Sequence, residues 1–248
     1  MTAPGELIAL FSATAAAVRA AVDGIAPAAR RDRTERPGQY ALDLVADAVA
    51  ITALQQLPVR IVSEESGVHE RPGADITVVV DPVDGSTNCA RGLAYWATSL
   101  CALDRAGPVA ALVVNQATGQ QTIAVRGEGA TRDGERLSAS RATRVQQAVV
   151  GLGGYPRSGL RWKQSRAFGC CSLMLCDVAA GGLDGYLDAG AYHAPWDYLG
   201  GLLACTEAGA TVFDVKAEPL VTDALESRRQ LVAAGTRELA VALAEGLA

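Results

Sequence analysis

Five apolar or β-branched residues, Ile76-Thr77-Val78-Val79-Val80, lead directly into Asp81-Pro82-Val83-Asp84-Gly85-Ser86-Thr87-Asn88. The apolar run predicts a buried β-strand, so both aspartates leave the sheet at its C-terminal edge, where open α/β sheets place their sites. Two carboxylates this close repel each other in a dry site unless a cation lies between them. The glycine–hydroxyl turn that follows offers backbone N–H groups that suit a phosphate. The pattern indicates metal-assisted phosphoryl chemistry; the alternative is that Asp-Pro and Asp-Gly only form a surface turn.

The composition of the 248-residue chain excludes several classes of protein. Half of the residues are apolar, the net charge is −5, and lysine occurs only at Lys163 and Lys216. We expect no nucleic acid as a partner, because its phosphates require clustered cations. Six cysteines without a Cys-x-x-Cys pair predict buried thiols in a reducing compartment. With neither an apolar stretch of about 18 residues nor a basic leader, we expect a soluble, cytoplasmic protein with no membrane partner.

The scarce histidines direct the search for a metal site toward oxygen ligands. His69 and His193 lie in loop-like sequence and are interpreted as ordinary surface residues. A zinc site of His and Cys ligands is hard to build from them, whereas carboxylates suit Mg²⁺, Mn²⁺ or Ca²⁺. A dinucleotide fingerprint is also excluded, since Gly151-Leu152-Gly153-Gly154-Tyr155-Pro156 lacks the third glycine; we interpret this segment as a loop.

Hydrophobic periodicity predicts a layered α/β fold. The first part contains two helices, at 5–26 and 43–57, and strands at 60–62, 76–80, 95–103, 108–115 and 120–126, with a hairpin turn at Asp133-Gly134. Later, strands at 147–151, 183–187, 210–214 and 230–234 alternate with helices at 169–180 and 196–208 and a last helix capped by Thr236. We predict an αβαβα sandwich. Residues 1–140 would form a metal- and phosphate-binding half with an antiparallel sheet and two helices, and residues 141–248 a smaller α/β half that completes the active site.

Acidic residues stand at three points where a strand or loop passes into a turn or a helix start. These are Glu64 in Ser63-Glu64-Glu65-Ser66-Gly67, the pair Asp81 and Asp84, and Asp197 in Pro195-Trp196-Asp197. A lone aspartate at a helix start is usually a cap. If the three points converge, however, four carboxylates meet and repel one another strongly without a metal. On the second helix, Asp43 and Asp47 share a face, a pattern typical of a solvated helix start.

Three motifs together resemble those of the inositol monophosphatase family, which are magnesium-dependent, lithium-sensitive phosphatases. They are Ser63-Glu64-Glu65-Ser66, the octet Asp81 to Asn88, and Trp196-Asp197 followed by Glu207-Ala208-Gly209-Ala210. The resemblance extends from the first helix to Ser227-Arg228-Arg229. It implies a homodimeric enzyme that hydrolyses inositol monophosphate or a related cyclitol or sugar phosphate with two or three Mg²⁺ ions, or with Mn²⁺. The alternatives are a phosphatase for a 3′-phosphonucleotide, fructose bisphosphate or histidinol phosphate, or a relative that binds metal and phosphate without turnover.

The resemblance also implies roles for individual residues. Glu64, Asp81 and the carbonyl of Val83, with Ser86, would hold the first ion, and Asp81, Asp84 and Asp197 the second. The amides of Gly85 and Ser86 would bind phosphate, and Ser86 paired with Asp47 would orient the attacking water. Substrate contacts would come from Asp84, Arg166, Cys171, Asp188 and Asp197, unless Asp188 only opens the Asp-Ala-Gly turn. Two features depart from the family pattern: Ser63 replaces a glycine, and the segment from Asp188 to Trp196 is lengthened.

Overall fold

The computed structural model describes residues 2–156, 161–190 and 192–247. The α-helices within them are Pro4–Asp23 (α1), Ala41–Leu54 (α2), Ser86–Arg91 (α3), Cys171–Ala179 (α4), Pro195–Glu207 (α5) and Arg237–Glu245 (α6). The strands are Arg60–Ser63 (β1), Gly67–His69 (β2), Thr77–Asp84 (β3), Ala97–Asp104 (β4), Gly107–Asn115 (β5), Gln121–Val125 (β6), Gly129–Arg132 (β7), Glu135–Arg136 (β8), Val149–Gly153 (β9), Gln164–Arg166 (β10), Gly185–Asp188 (β11), Thr211–Asp214 (β12) and Leu231–Ala234 (β13).

The strands form two sheets. The larger sheet has the order β2-β1-β3-β4-β5-β6-β7-β8, and the smaller one has the order β10-β9-β11-β13-β12. The prediction of an antiparallel sheet in the first half is wrong at one place, because β1 and β3 run parallel. The hairpin partner β2 lies on the outer side of β1, so the chain crosses back and starts β3 in the same direction as β1. This crossover brings the ends of β1 and β3 to one edge.

Alternating side chains of the central strand separate two cores. Residues of a strand point to opposite faces in turn; Val78 and Val80 pack in one cluster with Phe11 of α1. Val79 packs on the other face in a cluster that includes Leu199 of α5. Helices α1 and α2 therefore cover one face of the larger sheet, and α4 and α5 cover the other.

The smaller sheet is sandwiched in the same way. Tyr186 of β11 joins the cluster of α4 and α5, whereas Leu187 packs on the opposite side with Leu239 and Leu243 of α6. The resulting layers are two helices, the larger sheet, two helices, the smaller sheet and a final helix. The predicted αβαβα sandwich is confirmed.

One described helix, α1, is long and apolar enough to cross a membrane by length and composition alone. Its apolar side is used inside the protein, since Leu7, Phe11, Val18 and Val22 are buried. Core helices commonly have this composition, and packing against α2 and the larger sheet explains it here.

Several local predictions are confirmed and one is wrong. Asp133 and Gly134 have positive φ values of 51° and 87°, as a tight hairpin requires, and Thr236 caps α6 by accepting the N–H of Leu239 at 3.2 Å. All six cysteines are buried and unpaired, as expected. The loop predicted at 151–156 is instead strand β9 up to Gly153. A Cβ on Gly151 would lie 2.9 Å from the Leu183 side chain, so the glycine that suggested a loop is needed for close packing.

Candidate active site

A β-bulge in β3 brings Asp81 and Asp84 to the same site. Asp81 pairs with Ser99 of β4 and Asp84 pairs with Ala97, so three steps on β3 oppose two on β4. Residues three apart in a regular strand point to opposite faces, and one extra residue re-aims the second side chain. Pro82 lies within the bulge, where its missing N–H is tolerated. Both aspartates are consequently buried close to each other.

The parallel pairing of β1 with β3 places Glu64 beside Asp81. Ser63 is in register with Val80, and the N–H of Glu64 donates to the carbonyl of Val80 at 3.3 Å. The residues that directly follow these two positions therefore emerge at the same edge of the sheet. Burial and the neighbouring carboxylates raise the pKa of Glu64 well above its ordinary value.

Asp197 reaches the same site from the first turn of α5. Its Oδ2 accepts the N–H of Ala194 at 2.7 Å, so the aspartate stabilises the helix start. Glu64, Asp81 and Asp197 also each offer a carboxylate oxygen within 4.8 Å of the other two. Asp197 is therefore both a helix cap and a member of the acidic site, because the side chain that stabilises the helix start also contributes an oxygen to the site. We refer to Glu64, Asp81, Asp84 and Asp197 as the carboxylate cluster.

The carboxylate cluster is electrostatically unfavourable by itself. Burial, followed by the charge of Glu64, raises the pKa of Asp81 well above its ordinary range. Burial, followed by the charge of Asp197, raises the pKa of Asp84. The charge of Asp197 thus disfavours ionisation of Glu64, Asp81 and Asp84, as expected for like charges in a dry site. An arrangement of this kind is relieved by a cation.

Asp84 is held by the start of α4, far away in the sequence. Its Oδ2 accepts the N–H of Ser172 at 2.7 Å and lies 3.1 Å from Sγ of Cys170, which donates to it. These hydrogen bonds favour the ionised form of Asp84, opposing the effect of burial. The sequence did not point to Cys170 or Ser172, since each is an unremarkable residue before or inside an apolar helix.

The predicted pairing of Ser86 with Asp47 is wrong. The Asp47 carboxylate accepts the hydroxyl of Ser63, whereas Asp43, one helical turn earlier, lies beside Ser86. Asp43, Glu64, Glu65 and Ser86 line a cavity of about 200 Å³. The reason is the position of α2, which begins at Ala41 and therefore points its first turn, and not its second, at Ser86.

Asp43 has the features of a group that interacts with something else. Its Oδ2 accepts the N–H of Tyr40 at 2.8 Å, while its buried Oδ1 has no hydrogen-bond partner among the described residues. Burial raises the pKa of Asp43 to about 6, although the Tyr40 N–H and the Ser86 hydroxyl act in the opposite direction. Buried oxygens without a protein partner usually bind water or an ion.

Ser86 starts α3 after a glycine that the site requires. Gly85 has a φ of 88°, and a Cβ there would lie 3.2 Å from the carbonyl oxygen of Gly169. The Ser86 hydroxyl donates to the carbonyl of Val83 at 3.0 Å. The first N–H groups of a helix have no partner inside it, so this turn presents donors next to the carboxylate cluster.

His193 is not the surface residue that its sequence context suggested. Its side chain is only 12% exposed, its Nε2 lies 2.6 Å from the hydroxyl of Tyr186, and its Nδ1 lies 3.5 Å from Oδ2 of Asp197. Burial favours the neutral ring, but Cys171 and Asp197 outweigh it and raise the pKa of His193. The segment between β11 and α5 carries this histidine into the site.

A cleft of about 340 Å³ opens next to the carboxylate cluster. Of the residues predicted to contact substrate, Asp84, Cys171 and Asp197 line it. Arg166 does not; its guanidinium donates to the carbonyl of Ser165 and to Oε1 of Gln164, both at 2.8 Å. Asp188 is fully buried, and its Oδ1 accepts the N–H of Gly190 at 2.8 Å, as in the turn-opening alternative. The other lining residues are Leu152, Gly153, Gly154, Tyr155, Ala167, Gly169, Cys170, Met174, Tyr186, Tyr192 and His193.

Comparisons with known proteins agree on one family. Residues 8–247 match the model of the inositol monophosphatase family. The chain is 28% identical to a fructose-1,6-bisphosphatase of Pyrococcus furiosus over 201 residues, 80% of this chain and 79% of that protein. It is 35% identical to a fructose-1,6-bisphosphatase/inositol-1-monophosphatase of Thermococcus kodakarensis over 178 residues, 70% of this chain and 68% of that protein.

A solved structure extends the agreement to the whole fold. The structure is of a Pyrococcus horikoshii protein with similarities for inositol-1 monophosphatase. It superposes with a TM-score of 0.84 at 25% identity and covers 98% of this chain and 96% of that one. Together with the acidic cluster that can hold a metal, these matches show that the chain belongs to the inositol monophosphatase family and is a phosphoric monoester hydrolase.

Proposed function

We propose that this enzyme hydrolyses a small phosphate monoester with Mg²⁺ held by the carboxylate cluster. The observation that carries the proposal is the convergence of Glu64, Asp81 and Asp197, whose oxygens lie within 4.8 Å of one another. In the part of the chain that the structure describes, no lysine or arginine forms an ion pair with them. Apart from His193, whose Nδ1 lies 3.5 Å from Oδ2 of Asp197, a cation that neutralises the cluster would come from solution.

The donor set fits Mg²⁺. All of the converging ligands are carboxylate oxygens, which hard divalent cations prefer, and burial followed by mutual repulsion raises the pKa values of Glu64 and Asp81. The carbonyl of Val83, within hydrogen-bond distance of Ser86, is a further predicted ligand. When bound, such ions polarise phosphoryl oxygens and lower the pKa of coordinated water.

The neighbouring residues supply orientation. Oδ1 of Asp43, which lacks a hydrogen-bond partner among the described residues, and the Ser86 hydroxyl border the same small cavity as Glu64, which is large enough for several waters. A water held there can give a proton to a carboxylate while it faces the phosphate. The amides of Gly85 and Ser86 are the predicted donors to phosphate oxygens, and the start of α3 adds a favourable partial charge. Placing water and phosphate in line is a large part of phosphoryl-transfer catalysis.

The choice of substrate is open to experiment. The names of the relatives make inositol 1-phosphate and fructose 1,6-bisphosphate the first compounds to test. A cytoplasmic location and a homodimer remain predictions from the sequence and the family. Mn²⁺ is the alternative ion, since it accepts the same oxygen ligands.

Phosphate release by the purified protein tests the proposal. After exhaustive chelation we expect no release from a panel of cyclitol, sugar, amino-alcohol and nucleotide phosphates. Millimolar Mg²⁺ should restore activity on at least one of them, and lithium should inhibit it, as family membership implies. Ca²⁺ should support less activity, because its looser coordination orients water poorly. Full activity in chelator would contradict the proposal, and inactivity on the whole panel with Mg²⁺ would favour a non-catalytic binding protein.

A further inference from the structure

The part of the cleft away from the carboxylate cluster is almost devoid of charge. It is lined by small or apolar residues, by three tyrosines and by His193, and none of the described lining residues is a lysine or an arginine. Tyr155 is 93% exposed and Tyr192 is 52% exposed, so both rings offer apolar surface to whatever occupies the cleft. We call these two residues the aromatic wall.

Two glycines leave room for the ring of Tyr192. A Cβ on Gly190 would overlap the tyrosine ring, and one on Gly154 would lie 2.5 Å from its hydroxyl oxygen. His193 packs edge to face against the same ring, with centroids 5.5 Å apart. One side of the ring is thus supported by glycines that leave room for it, and the exposed half is available to a ligand. The segment between β11 and α5 supplies this tyrosine.

Two of the residues predicted to contact a polyol substrate do not line the cleft. The Asp188 carboxylate is enclosed and accepts the N–H of Gly190, and Arg166 lies outside the lining with local hydrogen bonds. Burying a hydroxyl without a partner is unfavourable. Planar groups, by contrast, gain from contact with aromatic rings through buried area and ring geometry.

We propose that the aromatic wall selects phosphate monoesters whose alcohol carries a planar, weakly polar group a few bonds from the phosphate. This inference rests on the proposed phosphatase function and names its substrate class. The phosphate lies at the carboxylate cluster, and the planar group lies against Tyr192 and Tyr155. A ring–ring contact of this kind corresponds to about a tenfold preference, which is ~1.4 kcal/mol.

Two phosphate esters of primary alcohols, one aromatic and one a polyol, distinguish a preference for the planar group from a general change in the rate of hydrolysis. We would compare kcat/KM for 2-phenylethyl phosphate and sn-glycerol 3-phosphate with Mg²⁺ present. The wild type should prefer the phenylethyl ester about tenfold. Tyr192→Ala should lose about tenfold on that ester and less than about twofold on glycerol phosphate, while Tyr192→Phe, which keeps the ring, should retain the preference. Val241→Ala, an exposed change on α6, is the control.

Equal losses on both esters, or a wild-type preference for glycerol phosphate, would overturn the proposal. Tyr155→Ala is a second test that does not put folding at risk, since that side chain is almost fully exposed; it should also lower the preference. Binding of 2-phenylethylphosphonate by calorimetry gives a readout without turnover, and its Kd should rise about tenfold in Tyr192→Ala and stay unchanged in Tyr192→Phe. If neither ester is hydrolysed, the panel of phosphates described above decides whether the proposed function fails, and binding of the phosphonate still tests the wall.

Discussion

The carboxylate cluster and the aromatic wall border one cleft, yet they are built differently. Each cluster residue is held by regular structure: Glu64 by the register of β1, Asp81 and Asp84 by the bulge in β3, and Asp197 by the first turn of α5. Tyr155 and Tyr192 instead stand on segments that follow β9 and β11. The difference suggests that the fold fixes the hydrolytic chemistry and leaves the choice of leaving group to loops, which tolerate change more readily.

The largest expected effect comes from the cluster. Asp81→Asn or Asp197→Asn should lower kcat by about 10³-fold or more on every substrate, since each removes one ligand charge from the ion. Folding should persist, because the substitution relieves repulsion in the metal-free protein. Phosphate release and thermal unfolding in chelator would measure the two effects. The matched control is Asp75→Asn, an exposed aspartate on the loop before β3.

Two outcomes for the cluster variants would contradict the division of roles between the carboxylate cluster and the aromatic wall. A cluster variant that lost activity only on planar substrates, or a folded variant with near-native turnover, would mean that the cluster does not carry the chemistry. Unchanged activity in Asp75→Asn is required for the interpretation.

A smaller loss of activity is expected when Asp43, which borders the cavity beside Glu64, is changed. Asp43→Asn should lower kcat by about 10²-fold with little change in KM, since Asp43 borders the water cavity with Ser86 and an amide cannot take up a proton from water as a carboxylate can. Asp47 lies one turn further along the same helix and accepts the hydroxyl of Ser63. The kcat of Asp47→Asn should therefore stay within a few-fold of the wild-type value. Reversed outcomes would restore the pairing of Ser86 with Asp47 that the sequence suggested.

The sequence predicted the cluster well because its members lie in motifs whose residue types are chemically restrictive. It failed for Asp43 because helical spacing places Asp43 and Asp47 on the same face, and only the true start of α2 at Ala41 decides which turn meets Ser86. The parallel pairing of β1 with β3 depends on which side of β1 the hairpin folds, and local patterns do not encode this. His193 and Tyr192 were missed because a long-range contact, not a motif, brings their loop to the cleft.

The raised pKa of Asp43 should also make the stability of the protein depend on pH. Its pKa is raised from 3.8 to about 6 in the folded protein, so between these values the folded state binds the proton more tightly than the unfolded chain does. The contribution of this group therefore favours folding below about pH 4 and is lost as the pH rises toward 6. In chelator, Asp43→Asn should match wild type near pH 4.

At pH 7 the same variant should be more stable than wild type by about 3 kcal/mol, the value that this pKa difference corresponds to. Denaturant unfolding at both pH values measures the change. A stability difference that does not vary with pH would show that the carboxyl of Asp43 titrates normally in the folded protein.

The smallest expected effect concerns Cys170, whose thiol donates a hydrogen bond to the Asp84 carboxylate. Cys170→Ala removes the Sγ donor to Oδ2 of Asp84 but leaves the Ser172 N–H in place. We expect Mg²⁺ affinity to fall by about threefold to tenfold, at the low end for a residue that orients a metal ligand, with the preference between the two esters unchanged. Cys101→Ala is the control, since this cysteine is also buried but its Sγ contacts the carbonyl of Ala102 and not Asp84. A changed ester preference would show that the two regions are coupled.

Calorimetric titration of Mg²⁺ into the chelated protein at neutral pH tests the central claim most directly. Since burial and mutual repulsion raise the pKa values of Glu64 and Asp81, ion binding should release protons. The measured heat should therefore depend on the ionisation enthalpy of the buffer, and both the heat and its buffer dependence should be lost or strongly reduced in Asp81→Asn. Absence of binding in the wild type, or binding that is unchanged in Asp81→Asn, would contradict the account.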